Sequence, residues 1–216
     1  MAPERRGIYS FMMVFSNSLF LGIPVAEALF GEVAIFYAAL INIPFCLLLY
    51  TLGVTLVSEK KQEGAQKFQW KLLLNPGALA ALLGLVLYVF RVPVPGVLRD
   101  TLSLMGKITT PGAMLIIGST LAGIAVKDLF NDPGLYVTCA VRLIVFPVLL
   151  RFTMAPLISD PAVLGTLVAL AATPVATNST MLCMEYGGDY ETASRGIFLS
   201  TLLSMVTMPV MIWLLL

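Results

Sequence analysis

The 216-residue chain contains no histidine, which removes histidine general acid–base catalysis, histidine metal ligation and a histidine proton switch. Charge is scarce as well. Asp, Glu, Lys and Arg make up 12% of the residues, against about 25% in a soluble domain. With 59% hydrophobic residues and a mean hydropathy of +0.94, the chain reads as an integral membrane protein whose first partner is the lipid bilayer. Its formal net charge of +1 leaves no basic footprint for nucleic acid. Cysteine is limited to Cys46, Cys139 and Cys183, scattered through apolar runs without zinc or disulfide spacing. They read as small core residues, and no metal site is expected. Met1-Ala2-Pro3-Glu4-Arg5-Arg6 resembles a charged signal n-region. No small-residue cleavage site closes the apolar run behind it, so that run reads as a mature helix.

What the chain has in quantity is long apolar segments. A bilayer core takes about 20 apolar residues as helix. Seven segments reach that length, at roughly 7–30, 33–57, 73–91, 98–125, 134–155, 162–186 and 191–216. They predict an all-α polytopic fold with short linkers and antiparallel neighbours. Asn75-Pro76-Gly77 marks the third start, where Pro suits a first helical turn. The longest linker, 58–71, carries Glu59, Lys60, Lys61, Glu63, Lys67 and Lys71 and reads as a polar surface loop. Lys and Arg gather on the cytoplasmic side. With that loop inside, the inner set is Arg5, Arg6, Lys60, Lys61, Lys67, Lys71, Lys127 and Arg195, and the outer set is Arg91, Arg99 and Arg151. The bias predicts a cytoplasmic N-terminus and, after seven crossings, an external C-terminus in the cell membrane.

Two of these segments are interrupted. Asn17-Ser18-Leu19-Phe20-Leu21-Gly22-Ile23-Pro24 lies in the first, and Thr173-Pro174-Val175-Ala176-Thr177-Asn178-Ser179-Thr180 in the sixth. Proline removes a backbone donor and breaks the helical ladder. In lipid the freed groups are tolerated only where protein or a water-filled cavity satisfies them. Paired broken helices in two halves of a membrane protein point to a transporter's binding site. An internal echo supports the pairing. The first break is followed by Gly31 and a helix with Pro44, the second by Gly187-Gly188 and a helix with Pro209. The first and sixth segments cross in opposite directions, as inverted-topology repeats require.

The chain resembles the auxin efflux carrier family of membrane permeases, which includes bacterial malate and malonate carriers. The resemblance rests on Phe15-Ser16-Asn17, Leu21-Gly22-Ile23-Pro24, Leu29-Phe30-Gly31, Asn75-Pro76, and Pro111 followed by Gly118-Ser119-Thr120-Leu121-Ala122. It continues through Arg142-Leu143-Ile144-Val145-Phe146-Pro147, Pro174-Val175-Ala176-Thr177-Asn178-Ser179 and Leu199-Ser200-Thr201-Leu202-Leu203-Ser204. It implies a ten-helix fold of two inverted five-helix halves. The fourth and ninth helices of such a fold unwind and cross at the midplane, forming a site for a small organic anion such as a dicarboxylate or auxin. It places Asn17 and Pro24 on the first crossover helix and Pro174 and Asn178 on the second. On that mapping, 1–57 is the end of the first half, 58–71 a cytoplasmic loop, and 72–216 the second half with its crossover at 162–186. The family's first three helices are then missing. Either the chain is a truncated product, or a homodimer or another chain supplies the rest.

At a crossover, a half-helix N-terminus favours an anion by about 0.3–2 kcal/mol per helix end. Asn17 and Asn178 both donate and accept, so they bind a carboxylate or cap the freed backbone. Thr177, Ser179 and Thr180 serve the same site or only satisfy neighbouring helices. Asn178-Ser179-Thr180 also fits a glycosylation sequon, but it lies deep in an apolar span. Glu27 is an intramembrane carboxylate, a functional candidate by default. It binds a coupling proton or sodium ion, or faces headgroups near Gly31. Glu185 reads as interfacial. Lys107, before Thr109-Thr110-Pro111, attracts an anionic substrate or snorkels outward. Arg142, about eight residues into the fifth segment, pairs with Glu27 or a substrate, or reaches the inner headgroups. Trp70, Tyr88, Tyr136 and Trp213 fit an aromatic belt. The methionines read as core filler, and Gly112, Gly118, Ser119, Ala122 and Gly123 as a close-packing set.

The expected function is secondary active transport of a small organic anion by alternating access, with no cofactor beyond a coupling proton or sodium ion. The alternatives are a non-transporting, partner-dependent membrane protein and a sodium-coupled carboxylate or bile-acid-type carrier. A membrane-embedded enzyme is disfavoured, because the spans hold no paired acids and no nucleophile–base set.

Overall fold

The computed structural model describes residues 6–58, 76–122 and 130–216. The lysines of the 58–71 loop, with Glu59, Glu63, Arg5, Trp70, Asn75, Gly123 and Lys127, lie outside the described residues. Apart from one isolated bridge, the regular structure among the described residues is helical. Helix α1 spans Arg6–Val14, α2 Ser18–Phe30 and α3 Glu32–Val57. Helix α4 spans Pro76–Val89, α5 Gly96–Ala122 and α6 Pro133–Met154. Then follow α7 Pro161–Ala171, α8 Asn178–Tyr186 and α9 Tyr190–Leu215. Helices α1 and α2 together fill the first expected segment, and α7 and α8 the sixth. Helices α3, α6 and α9, at 26, 22 and 26 residues, are long and apolar enough to cross a membrane.

Local chemistry sets the helix boundaries. Asp132, Asp160 and Asp189 cap the starts of α6, α7 and α9, accepting from Gly134 N at 2.9 Å, Ala162 N at 2.8 Å and Thr192 N at 2.9 Å. In the first two the next residue is proline, which costs nothing at a first helical position. Both broken spans end on a glycine with positive φ. Gly31 (φ 75°) closes α2 and Gly187 (φ 76°) closes α8, a positive φ that glycine adopts without penalty, and at Gly187 the conformation is the left-handed helix cap. Proline inside α3 (Pro44), α5 (Pro111) and α9 (Pro209) is carried within the helix. Short π-helical turns occur among the described residues at Ser18–Gly22, Leu49–Gly53 and Val141–Val145, a form that concentrates at functional sites.

Helix α1 runs through the core. Phe11, Met12 and Phe15 pack with Leu49 and Val54 of α3, Leu135 and Leu143 of α6, Leu182 of α8 and Ile197 of α9. The outward faces carry large apolar side chains such as Phe36, Phe152, Met205 and Trp213, as a lipid-facing surface requires. The methionines divide accordingly. Met12, Met208 and Met211 are buried, whereas Met105, Met181, Met184 and Met205 are exposed, so core filler describes only some of them. The close-packing set on α5 is corrected at Gly112, Ser119 and Ala122, while the surroundings of Gly118, and Gly123 itself, lie outside the described set. A Cβ on Gly112 meets nothing within 4 Å, and Ser119 and Ala122 are exposed. Tight approach occurs instead at Gly7, Gly22, Gly53, Gly165, Gly188 and Gly196.

Candidate functional site

The chain leaves helical form after Val14 and again after Ala171, and the two breaks meet. Ser16 and Val175 form an antiparallel bridge. Asn17 N donates to Pro174 O at 2.8 Å, and Ala176 N donates to Phe15 O at 3.1 Å. The second break follows from Pro174. Lacking an N–H, it cannot donate to the Leu170 carbonyl, which accepts the Thr173 hydroxyl at 2.7 Å instead. Val175 N finds Ser200 Oγ at 3.2 Å, and the Ser179 hydroxyl donates to Ala176 O at 2.8 Å. The first break contains no proline. Pro24 comes one turn later, after a π turn in which Leu21 N and Gly22 N both donate to Asn17 O at 3.2 Å. The backbone groups named here are thus taken up by protein, as a membrane interior demands.

A cavity of about 50 Å³ opens beside the bridge, lined by Ser16 to Phe20, by Phe45, Cys46, Leu49 and Tyr50 of α3, and by Ala176, Thr177 and Asn178. Helix α2 begins at Ser18 and α8 at Asn178, so two helix N-termini, with their positive dipole ends, adjoin one space. Asn17 and Thr177 are 3% and 2% exposed, yet Asn17 Nδ2 and Thr177 Oγ1 have no hydrogen-bond partner. Buried polar atoms are ordinarily satisfied, so these two stand out among the residues that line the cavity.

The candidates read from the sequence separate here. Asn17, Thr177 and half-buried Asn178 come together at the cavity. Pro174 and Ser179 are buried at the second break but do not line it, and Pro24 is exposed on α2. Glu27 is exposed on α2. Lys107 lies on α5, and its side chain is outside the described set, as is that of Tyr88. Arg142 neither reaches a surface nor meets Glu27. It is 1% exposed and donates through Nη2 to Ala171 O at 2.9 Å. Cys46, read as a core residue, is only half-buried and lines the cavity.

The chain matches the family model described as membrane transport protein over residues 1–212. It belongs to that family. The resemblance to auxin efflux carriers read from the motifs is borne out. The chain is 26% identical over 193 residues to an "Uncharacterized transporter" of Methanothermobacter thermautotrophicus, covering 89% of this chain and 63% of that protein. It is 32% identical over 126 residues to a "Putative malonate transporter" of Rhizobium meliloti, covering 58% and 38%. The chain therefore spans less than two thirds of either relative.

One further polar residue at the crossover is absent from the candidates read from the sequence. Asn42 of α3 is 6% exposed, accepts the Ser18 hydroxyl through Oδ1 at 2.8 Å, and donates to Ala38 O at 2.9 Å. Its signal was present, an amide between Ile41 and Ile43 in an apolar span, where a polar residue is a functional candidate. Asn42→Leu is expected to lower stability by about 0.6–1.7 kcal/mol, the measured range for hydrogen bonds within membranes. Thermal melting of the purified variant checks this.

Proposed function

We propose that the crossover is the substrate site of a secondary transporter for a small organic anion, a mono- or dicarboxylate. The observation that carries this reading is the convergence of two helix N-termini on a cavity that also receives an unpartnered amide nitrogen, Asn17 Nδ2. Backbone N–H groups, helix dipoles and amide donors suit a carboxylate, and no cationic side chain lines the cavity. The printed name of the Rhizobium relative makes malonate the natural probe. At about 50 Å³ the cavity has room for roughly three waters at ~15 Å³ each. A carboxylate therefore enters only when the α1–α3 group and the α7–α9 group move apart. Alternating access then consists of opening to one side at a time around the bridged breaks, in a cell membrane with the N-terminus inside. Glu27 and Lys107 act, on this reading, as charges along the route, and a proton is the simplest coupling ion.

The test is uptake of radiolabelled malonate by proteoliposomes containing the full chain. Saturable uptake above empty vesicles is expected. Asn178→Ala is expected to lower it about tenfold, the worth of one hydrogen bond to a charged group, with membrane insertion intact. Unchanged uptake in that variant rejects Asn178 as a site residue. A second reading is favoured by the 63% and 38% coverage of the relatives. On it, the chain works only with a further polypeptide or a second copy that completes the bundle. Wild-type uptake equal to empty vesicles, restored by co-reconstitution with a full-length relative, would support it.

A further inference from the structure

Arg142 is the largest fully buried side chain among the described residues, and no carboxylate among the described residues pairs with it. Glu27 and Glu185 are exposed, Asp132, Asp160 and Asp189 cap helix starts, and Glu191 faces Arg195 at 3.6 Å. What surrounds the guanidinium is a helix end. Its Nη2 donates to the carbonyl of Ala171, the last residue of α7, and its face lies 4.8 Å from the Phe146 ring centroid. Its Nε and Nη1 have no partner. The neighbouring carbonyls of that last turn are already taken, Val168 O by Ala172 N at 2.9 Å and Leu170 O by the Thr173 hydroxyl at 2.7 Å. The backbone carrying Arg142 is the π turn Val141–Val145, whose extra residue per turn re-aims a side chain.

The C-terminal end of a helix is a negative pole that stabilises a cation. In broken-helix transporters, half-helix C-termini and unwound carbonyls are where a coupling sodium ion is coordinated. Here that position, at the end of the first part of the second broken span, holds a guanidinium. We propose that Arg142 is a built-in cation that takes the place of a sodium ion at the C-terminal pole of α7. The crossover accordingly takes no sodium there, and Arg142 is a positioning residue that holds the break in register for the site on its far side. The transport consequence rests on the reading of the crossover as the substrate site; the charge argument does not.

The experiment is thermal unfolding of the purified full chain at constant ionic strength, with sodium chloride replaced stepwise by choline chloride. The wild-type midpoint is expected to stay unchanged, and a saturable stabilisation by sodium overturns the proposal. Arg142→Ala is expected to melt several degrees lower. Low-millimolar guanidinium or sodium, but not choline, is expected to recover part of that loss, because a ligand that binds only the folded state raises its stability by mass action. Arg142→Lys, which keeps the charge, is expected to stay indifferent to sodium. A loss in Arg142→Ala that Arg142→Met restores and no cation does makes Arg142 a packing residue and also overturns the proposal. If Arg142→Ala does not fold, the wild-type and Arg142→Lys series decide alone. None of these readings uses malonate, so a silent uptake assay leaves this test standing.

Discussion

Asn17→Ala is expected to lower malonate uptake about 10–150-fold, which is the 1.5–3 kcal/mol of a hydrogen bond to a charged group, while leaving thermal stability unchanged or slightly raised. The two halves of this expectation have one cause. The backbone of Asn17 does the structural work at the first break. Its N–H donates to Pro174 O, and its carbonyl accepts from Leu21 and Gly22. Alanine keeps all of that. The side-chain Nδ2, by contrast, is buried without a partner, and removing an unsatisfied buried donor relieves a desolvation cost rather than incurring one. A residue that merely capped freed backbone would lose stability and uptake together. Asn17→Asp separates the cases further. It places a carboxylate against an anionic substrate and buries a charge in a span, so both uptake and stability are expected to fall. Uptake retained in Asn17→Ala, or a melting midpoint that falls with it, would remove Asn17 from the binding site. The milder tenfold effect assigned to Asn178 reflects its partial exposure, where water competes for the same bond.

The spans were legible because bilayer thickness fixes helix length. The breaks were legible because an amide or a proline inside an apolar run has few other uses. That the breaks belong together was legible from the internal echo, but the groups that join them were not. The pairing joins Ser16 to Val175 through main-chain groups, and neither side chain marks it. Pro24 drew attention to the first break from one turn too far along, since a π turn lets the helix carry it in α2. The sequence left Arg142 with three partners to choose from, and the observed partner is a carbonyl of Ala171, a group every residue possesses. Small residues misled in a similar way. Gly112 and Gly7 look alike in sequence, and only the neighbouring helix decides which of them faces open space and which a backbone.

That last distinction carries the second large effect. A Cβ on Gly7 would overlap the carbonyl oxygen of Leu56, and one on Gly188 the carbonyl oxygen of Val57. These are consecutive residues at the end of α3, gripped by α1 on one side and by the α8–α9 turn on the other. At Gly165 and Gly196 the obstructing atoms belong to the Phe30 ring and the Met12 thioether, side chains that can rotate away. A backbone oxygen cannot, so Gly7→Ala and Gly188→Ala must push α3 aside. Each is expected to cost about 1–3 kcal/mol, with roughly 1 kcal/mol of helix propensity returned at Gly7. Gly196→Ala is expected to cost less than Gly188→Ala. The pair is expected to be non-additive by about 0.5–3 kcal/mol, because once the end of α3 has moved for one methyl group the second meets less resistance. Uptake is expected to fall with stability in Gly7→Ala, the reverse of the Asn17→Ala pattern. Gly7 seats α1 against the same helix whose Leu49 and Tyr50 line the cavity, and α1 leads directly into the first break. Wild-type melting in both alanine variants would mean that α1 and the α8–α9 turn do not press on α3 this closely, and the close approach that fixes the crossover would have to be sought elsewhere.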